Sequence, residues 1–151
     1  HSKKCDITYI ETMPLGEIDV DRTDQFLPLS KVKETLSKEY TLQSSKYYTG
    51  GPSRYFSVQE TGHRVGFITP LTHNFCELCN RVRLTCTGKL YMCLGQEDSA
   101  DFTNAARSEN WRIELKNAIT EAISRKPKGH DFVIRRKHSP SVNRHMSVTG
   151  G

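Results

Sequence analysis

No stretch of the 151 residues stays apolar for the roughly 18 positions that a membrane-spanning helix needs, so no transmembrane span is encoded. The opening "HSKKCDITYI" lacks the long apolar core of a secretory signal and runs straight into a strand-like pattern, as though the chain continued from something longer. Hydrophobic residues make up only 35% of the sequence, and there is one tryptophan. Six Phe and six Tyr still supply enough packing to keep the chain out of the disordered class. Internal repeats and low-complexity tracts are missing. Cysteine is scarce and odd in number, at five, so a disulfide framework within the chain would leave one thiol over. Thiolates bound to metal in a reducing compartment fit that count better. What remains is about one domain's length with a real core. Its net charge of +5 points towards anionic partners: nucleotides, nucleic acid or acidic surfaces.

Local patterning predicts a mixed chain. "CDITYIETMPLG" reads as a strand that breaks at Pro14 and Gly16. "FLPLSKVKETLSKEY" places Leu29, Val32 and Leu36 on one helical face, with Ser30 expected to cap the start. Between Gly50 and Leu71 two strand-like runs predict a hairpin or meander, and "RVRLTCTGKLYMCL" predicts two short strands around a Thr87–Gly88 turn. The run from Ser99 to Lys126 reads as helix with a break near Ser108. Trp111, Leu115, Ala118 and Ala122 form its apolar stripe, and Pro127 with Gly129 stops it.

Chemistry concentrates in "HNFCELCNRVRL". Cys76 and Cys79 are two residues apart, a spacing at which two sulfurs in one turn meet the same metal centre. Cys93 follows on the far side of the predicted hairpin. A structural zinc needs a fourth ligand, for which Cys86, His73 and Asp98 are the nearby candidates. Three thiolates without a fourth are the donor set of an iron–sulfur cluster with one iron left open. Both readings stand at this point. On a strand, Arg81 and Arg83 share a face and form paired guanidinium forks suited to phosphate. Cys5 and Cys86 are expected to be buried structural thiols.

Beyond spacing, "GFITPLTHNFCELCNRVRLTCTGKLYMCLGQE" resembles the C-terminal domain of the GTP 3',8-cyclase family, radical S-adenosylmethionine enzymes that open molybdenum cofactor biosynthesis. The family pattern is a strand ending G-F-I-S/T-P, then F-C-x-x-C-x-R-x-R-x-T, then G-K-L, then cysteine and leucine, with the same thirteen residues before Cys93. "YIETMPLG" is similar to a late barrel strand of that family, and Gly150-Gly151 to its double-glycine tail. The resemblance implies an α+β chain that is the C-terminal fragment of an incomplete TIM-type α/β barrel with a small iron–sulfur-binding domain. Residues 1–49 would end the barrel, and residues 50–151 would form the cluster- and GTP-binding part. It implies that Cys76, Cys79 and Cys93 hold a [4Fe–4S] cluster whose open iron meets the guanine of GTP. Arg81, Val82 and Arg83 would line the GTP site, Met13 would lie beside S-adenosylmethionine, and Gly150 and Gly151 would reach into the active site for the cyclisation. It further implies a cytoplasmic lyase, a homodimer of the intact enzyme, and a downstream cyclic pyranopterin monophosphate synthase.

Two departures qualify that expectation. Thr8 stands where the family usually has arginine. The CxxxCxxC motif that holds the second [4Fe–4S] cluster, the one that cleaves S-adenosylmethionine, occurs nowhere in these residues, and Cys5 alone cannot replace it. The chain by itself is therefore expected to be inactive. A rival reading from another class is a small zinc-binding, nucleic-acid-binding module, with Arg135, Arg136, Lys137 and Arg144 as a phosphate-tracking arm.

Overall fold

Ile7–Ile10 forms the first strand, β1, and Leu29–Glu39 the first helix, α1. Three short strands follow: β2 (Leu42–Ser44), β3 (Arg54–Val58) and β4 (Arg64–Ile68). The computed structural model describes residues 5–13, 15–16, 25–73, 75–130, 132 and 142–149. The chain divides into two compact units, His1–Met13 with Asp24–Phe75, and Pro14–Thr23 with Cys76–Gly151.

In the first unit β2, β3 and β4 form an antiparallel meander, and β1 pairs with β4 in parallel, giving the order β1-β4-β3-β2. Strands β3 and β4, which lie past residue 49, thus share one sheet with β1 and β2. Alternation along β4 puts Val65 and Phe67 on one face, where they pack with Val58 and Leu29. Tyr9 faces Phe67 across the parallel pair with ring centroids 5.9 Å apart, and Phe56 meets Phe67 edge-on at 5.8 Å. Val32 and Leu36 bring the apolar stripe of α1 onto this cluster, as their spacing predicts. Removing the Phe67 ring would cost about 3–5 kcal/mol by lost burial and cavity formation.

Ser30 does not cap α1. The helix begins after Pro28 with no side-chain cap, and Ser30 lies inside its first turn. The Leu29 N–H instead points to the Glu11 carboxylate at 3.4 Å. Glu11, only 2% exposed, also accepts from the N–H groups of Leu71 (3.0 Å) and Thr72 (3.1 Å) and from the Thr72 hydroxyl. One carboxylate therefore accepts from a helix start and a loop at once.

The second unit holds β5 (Arg83–Leu84), β6 (Lys89–Tyr91) and β7 (Ser99–Asp101), antiparallel in that order. The Thr87–Gly88 turn joins β5 to β6, and Gly88 has a φ of 81°, a backbone conformation glycine adopts at no steric cost. Two helices follow, α2 (Thr103–Arg107) and α3 (Trp111–Ser124). The break at Ser108 falls where the sequence placed it, but Ser99–Asp101 is strand rather than helix, because its backbone pairs with β6. Leu115, Ala118 and Ala122 pack onto Leu90, Met92 and Phe102, whereas Trp111 is 46% exposed and stands apart from the stripe. Cys5 and Cys86 are both exposed, against the expectation of burial; Cys86 sits in the β5–β6 turn, where no core is available to cover it. The whole is an α+β arrangement, and no helix among the described residues is long and apolar enough to cross a membrane.

Candidate metal centre

Cys76 belongs to the second unit and opens a single 3₁₀ turn, Cys76–Leu78. The Cys79 N–H donates to the Cys76 carbonyl at 3.0 Å and closes that turn, so the two-residue spacing folds both sulfurs onto one short arc. Cys93 lies two residues beyond the end of β6. Between these segments stands Lys126, just past the end of α3. Its ammonium donates to the carbonyl of Arg81 at 2.8 Å and to that of Met92.

The thiols sense one another. Burial pushes the Cys76 thiol up, and the neighbouring Cys93 and Cys79 push it further; a hydrogen bond from the His130 backbone and the charge of Lys126 oppose this without cancelling it. Burial also pushes Cys79 up. There it is outweighed by hydrogen bonds from the Arg81 backbone and side chain and by the charges of Lys126 and Arg81, so Cys79 lies below the ordinary thiol range. Like charges act at short range, so Cys76 has both Cys79 and Cys93 for neighbours. Cations at its edge favour the deprotonated forms that bind metal.

The sequence-predicted residues separate into groups. Cys76, Cys79 and Cys93 all lie in the second unit, and the first two share one 3₁₀ turn. Arg81 turns towards Cys79 and precedes β5, so the expected shared strand face with Arg83 does not form: β5 begins only at Arg83, which pairs with Tyr91. Arg81 and Val82 are exposed, and Arg83 is half-buried. Met13 belongs to the first unit, two residues after Glu11, and is half-buried. Gly150 and Gly151 lie outside the described residues. Of the fourth-ligand candidates, Cys86 is exposed in the β5–β6 turn, Asp98 is paired with Arg125 at 2.6 Å, and His73 belongs to the first unit. Among the described residues no group of three or more His, Cys, Asp or Glu side chains is arranged to hold a metal ion.

Lys126 and Arg144 are the residues that sequence reasoning missed or misassigned. A lysine after a helix and an arginine in a basic tail both read as solvated surface, and no pattern marks their carbonyl partners. Arg144 is 9% exposed in its side chain, with its guanidinium spent on backbone carbonyls and Glu97, so it is not a free phosphate-tracking residue. Arg135, Arg136 and Lys137 lie outside the described residues.

The family model described as Molybdenum Cofactor Synthesis C matches residues 5–132, and the chain belongs to that family. Over its whole length the chain is 63% identical to the GTP 3',8-cyclase of Brucella ovis and 64% identical to those of Rhizobium etli and Rhizobium leguminosarum bv. trifolii. In each case the match covers 44% of the relative, so the chain spans less than half the length of these curated proteins and corresponds to their C-terminal part.

Proposed function

We propose that this chain is the cluster- and nucleotide-binding part of a GTP 3',8-cyclase. The observation that carries the reading is geometric: one turn closed by the Cys79 N–H on the Cys76 carbonyl carries two of the cysteines, and Lys126 ties the Arg81 carbonyl beyond them to that of Met92, next to Cys93. Three cysteines in one unit, with no group of three or more His, Cys, Asp or Glu side chains among the described residues arranged around a single ion, support the wider [4Fe–4S] group over one zinc. A lone zinc at about 2.3 Å from each sulfur demands tightly converged ligands and a closed fourth position. Cys76, Cys79 and Cys93 would hold the cluster, which supplies an open iron as a Lewis-acidic anchor for the guanine end of GTP.

Arg81, Val82 and Arg83 would line the GTP site. Arg83, pinned by β5, offers a guanidinium in a fixed place for the polyphosphate, while Arg81 divides its hydrogen bonds between Cys79 and the ligand side. Holding the nucleotide at both ends limits its motion, which is the proximity contribution to a cyclisation within one molecule. Met13 would sit near S-adenosylmethionine, and Gly150 and Gly151 would enter the site as a side-chain-free tail. In this reading residues 1–49 close the barrel and residues 50–151 form the binding part. Radical generation would need S-adenosylmethionine and a second [4Fe–4S] cluster, whose CxxxCxxC motif these residues lack, so the chain alone binds GTP without turning it over. The whole enzyme would form (8S)-3',8-cyclo-7,8-dihydroguanosine 5'-triphosphate, and cyclic pyranopterin monophosphate synthase would consume it. The zinc-module reading loses support with Arg144, one of its four phosphate contacts.

Metal and acid-labile sulfide content of anaerobically purified protein tests the reading. About four iron and four sulfide per chain are expected, lost in Cys76→Ala, together with a change in the cluster's EPR spectrum on adding GTP. One zinc and no sulfide would overturn it.

A further inference from the structure

The loop after β6 has no regular strand or helix to satisfy its backbone, yet its carbonyls are not left to solvent. Arg144 Nη2 donates to the carbonyl of Cys93 at 3.3 Å, of Leu94 at 3.1 Å and of Gln96 at 2.6 Å, while Nη1 binds the Glu97 carboxylate. The guanidinium carbon lies 4.1 Å from the centre of the Tyr91 ring, so the plane of the fork rests on the last residue of β6. These partners are about fifty positions away in sequence, with separations of 51, 50 and 48 for the three carbonyls.

The segment that carries Arg144 is itself anchored. Val142 is 1% exposed, bridges Leu15 in parallel and accepts from the Gly16 N–H at 3.0 Å. The other end is Thr149, also 1% exposed, in the 3₁₀ turn Met146–Thr149. An arginine pointed at a loop from a mobile segment would fix nothing; pointed from a segment buried at both ends, it fixes the loop's backbone.

We propose that Arg144 is a positioning residue that ties residues 142–149 to the loop carrying Cys93, so that the third sulfur and the last described residues of the chain are set by one side chain. The bond to the Cys93 carbonyl fixes the backbone from which that sulfur projects. The coupling is reciprocal: whatever orders the Cys93 loop also orders the C-terminal segment, and the reverse. The role of Cys93 as a ligand rests on the function proposed above; the coupling itself does not.

Hydrogen exchange on the whole chain, read by mass spectrometry, separates the two. In Arg144→Gln the amides of residues 93–97 and of 142–149 are expected to exchange about tenfold faster or more, as loss of charged hydrogen bonds to loop carbonyls implies. Those of β3 and β4 should stay at their native rates. Acceleration of 142–149 alone, or of neither segment, overturns the proposal. Arg144→Lys decides the matter if Arg144→Gln does not fold. It keeps the charge for Glu97, but a single ammonium cannot span three carbonyls and the ring, so residues 93–97 should still be deprotected; native protection in Arg144→Lys overturns it. Anaerobically reconstituted Arg144→Lys should also release iron to a chelator about tenfold faster than the parent, and equal release would break the link to Cys93. A chain that takes up no iron and sulfide at all would refute the proposed function, while the exchange rates would still decide the coupling.

Discussion

Lys126 Nζ lies 2.8 Å from the carbonyl oxygen of Arg81, and the same ammonium reaches the carbonyl of Met92. Arg81, two residues past Cys79, and Met92, the residue before Cys93, are thus held by one cation just past the end of α3. Lys126→Met keeps the apolar stem and removes the donor. It should cost about 1–3 kcal/mol, because two carbonyls, that of Met92 in part-buried surroundings, lose a charged partner. Urea denaturation followed by Trp111 fluorescence, on the same helix, would register the loss; an unchanged midpoint would mean the two carbonyls find water at no cost.

Gly95 sits where no side chain fits. A Cβ built there would lie 2.8 Å from His130 Cβ and 2.8 Å from Phe132 Cζ. Gly95→Ala is therefore expected to push the Cys93 loop away from the 130–132 segment at about 1–3 kcal/mol. Gly129→Ala, with nothing within 4 Å of its Cβ, serves as the control and should be near neutral. Thermal melts of the two variants side by side make the comparison.

In the first unit the vulnerable group is Glu11. Glu11→Gln replaces one acceptor oxygen by an NH₂ that faces backbone N–H groups, so at least one donor among Leu29, Leu71 and Thr72 goes unmet. The expected cost is about 1–3 kcal/mol. Amide exchange at Leu71 and Thr72 should quicken before that of the β3–β4 pair does. Equal acceleration across the unit would show that Glu11 supports the fold globally rather than the loop.

Acid should loosen the β1 entry. The Asp6 carboxylate takes hydrogen bonds from the Arg64 backbone N–H at 2.9 Å and from Arg64 Nε at 2.9 Å, and together these hold its pKa below the usual carboxylate value. A carboxyl with a depressed folded-state pKa contributes stability above its unfolded pKa, near 3.9, and loses it as pH falls through the lower folded value. Denaturation midpoints of the parent and Asp6→Asn should differ at neutral pH and converge at acid pH. A constant difference down to pH ~2 would remove the ion pair from the account.

Much of the fold was legible because it is local. Val65 and Phe67, Leu29 and Val32, and the Thr87–Gly88 turn announce themselves by period and residue type, and the sheet and helix they predict are found. The site was half legible. The CxxC spacing does fold Cys76 and Cys79 onto one turn, and the β5–β6 hairpin does lie between them and Cys93. What lay hidden is long-range and polar. Nothing in "RKPKGH" or "SVNRHMS" distinguishes an ammonium or guanidinium held against carbonyls from one in water, since the deciding partners are some 34 to 51 positions away. Ser30 was misread for a related reason: its propensity to cap was real, but Glu11 arrives from just past β1 and meets the Leu29 N–H. Arg81 was placed on a strand by alternation, whereas β5 starts only at Arg83 and the Arg81 carbonyl is taken by Lys126.

The strand order β1-β4-β3-β2 also sets a sequence of events in time. The meander β2–β3–β4 joins neighbours through short connections, so little chain entropy stands against it. Strand β1 must close a span of 58 residues before the Asp6–Arg64 contact can form, and it does so as a parallel strand, which no tight turn can nucleate. The meander is therefore the early structure of the first unit, and β1 is its last arrival on folding and first departure on unfolding. Because Glu11 follows β1 directly, the start of α1 and the Leu71–Thr72 loop gain their acceptor only at that final step, so the helix start and the approach to Cys76 mature late, after the sheet that precedes them is already in place.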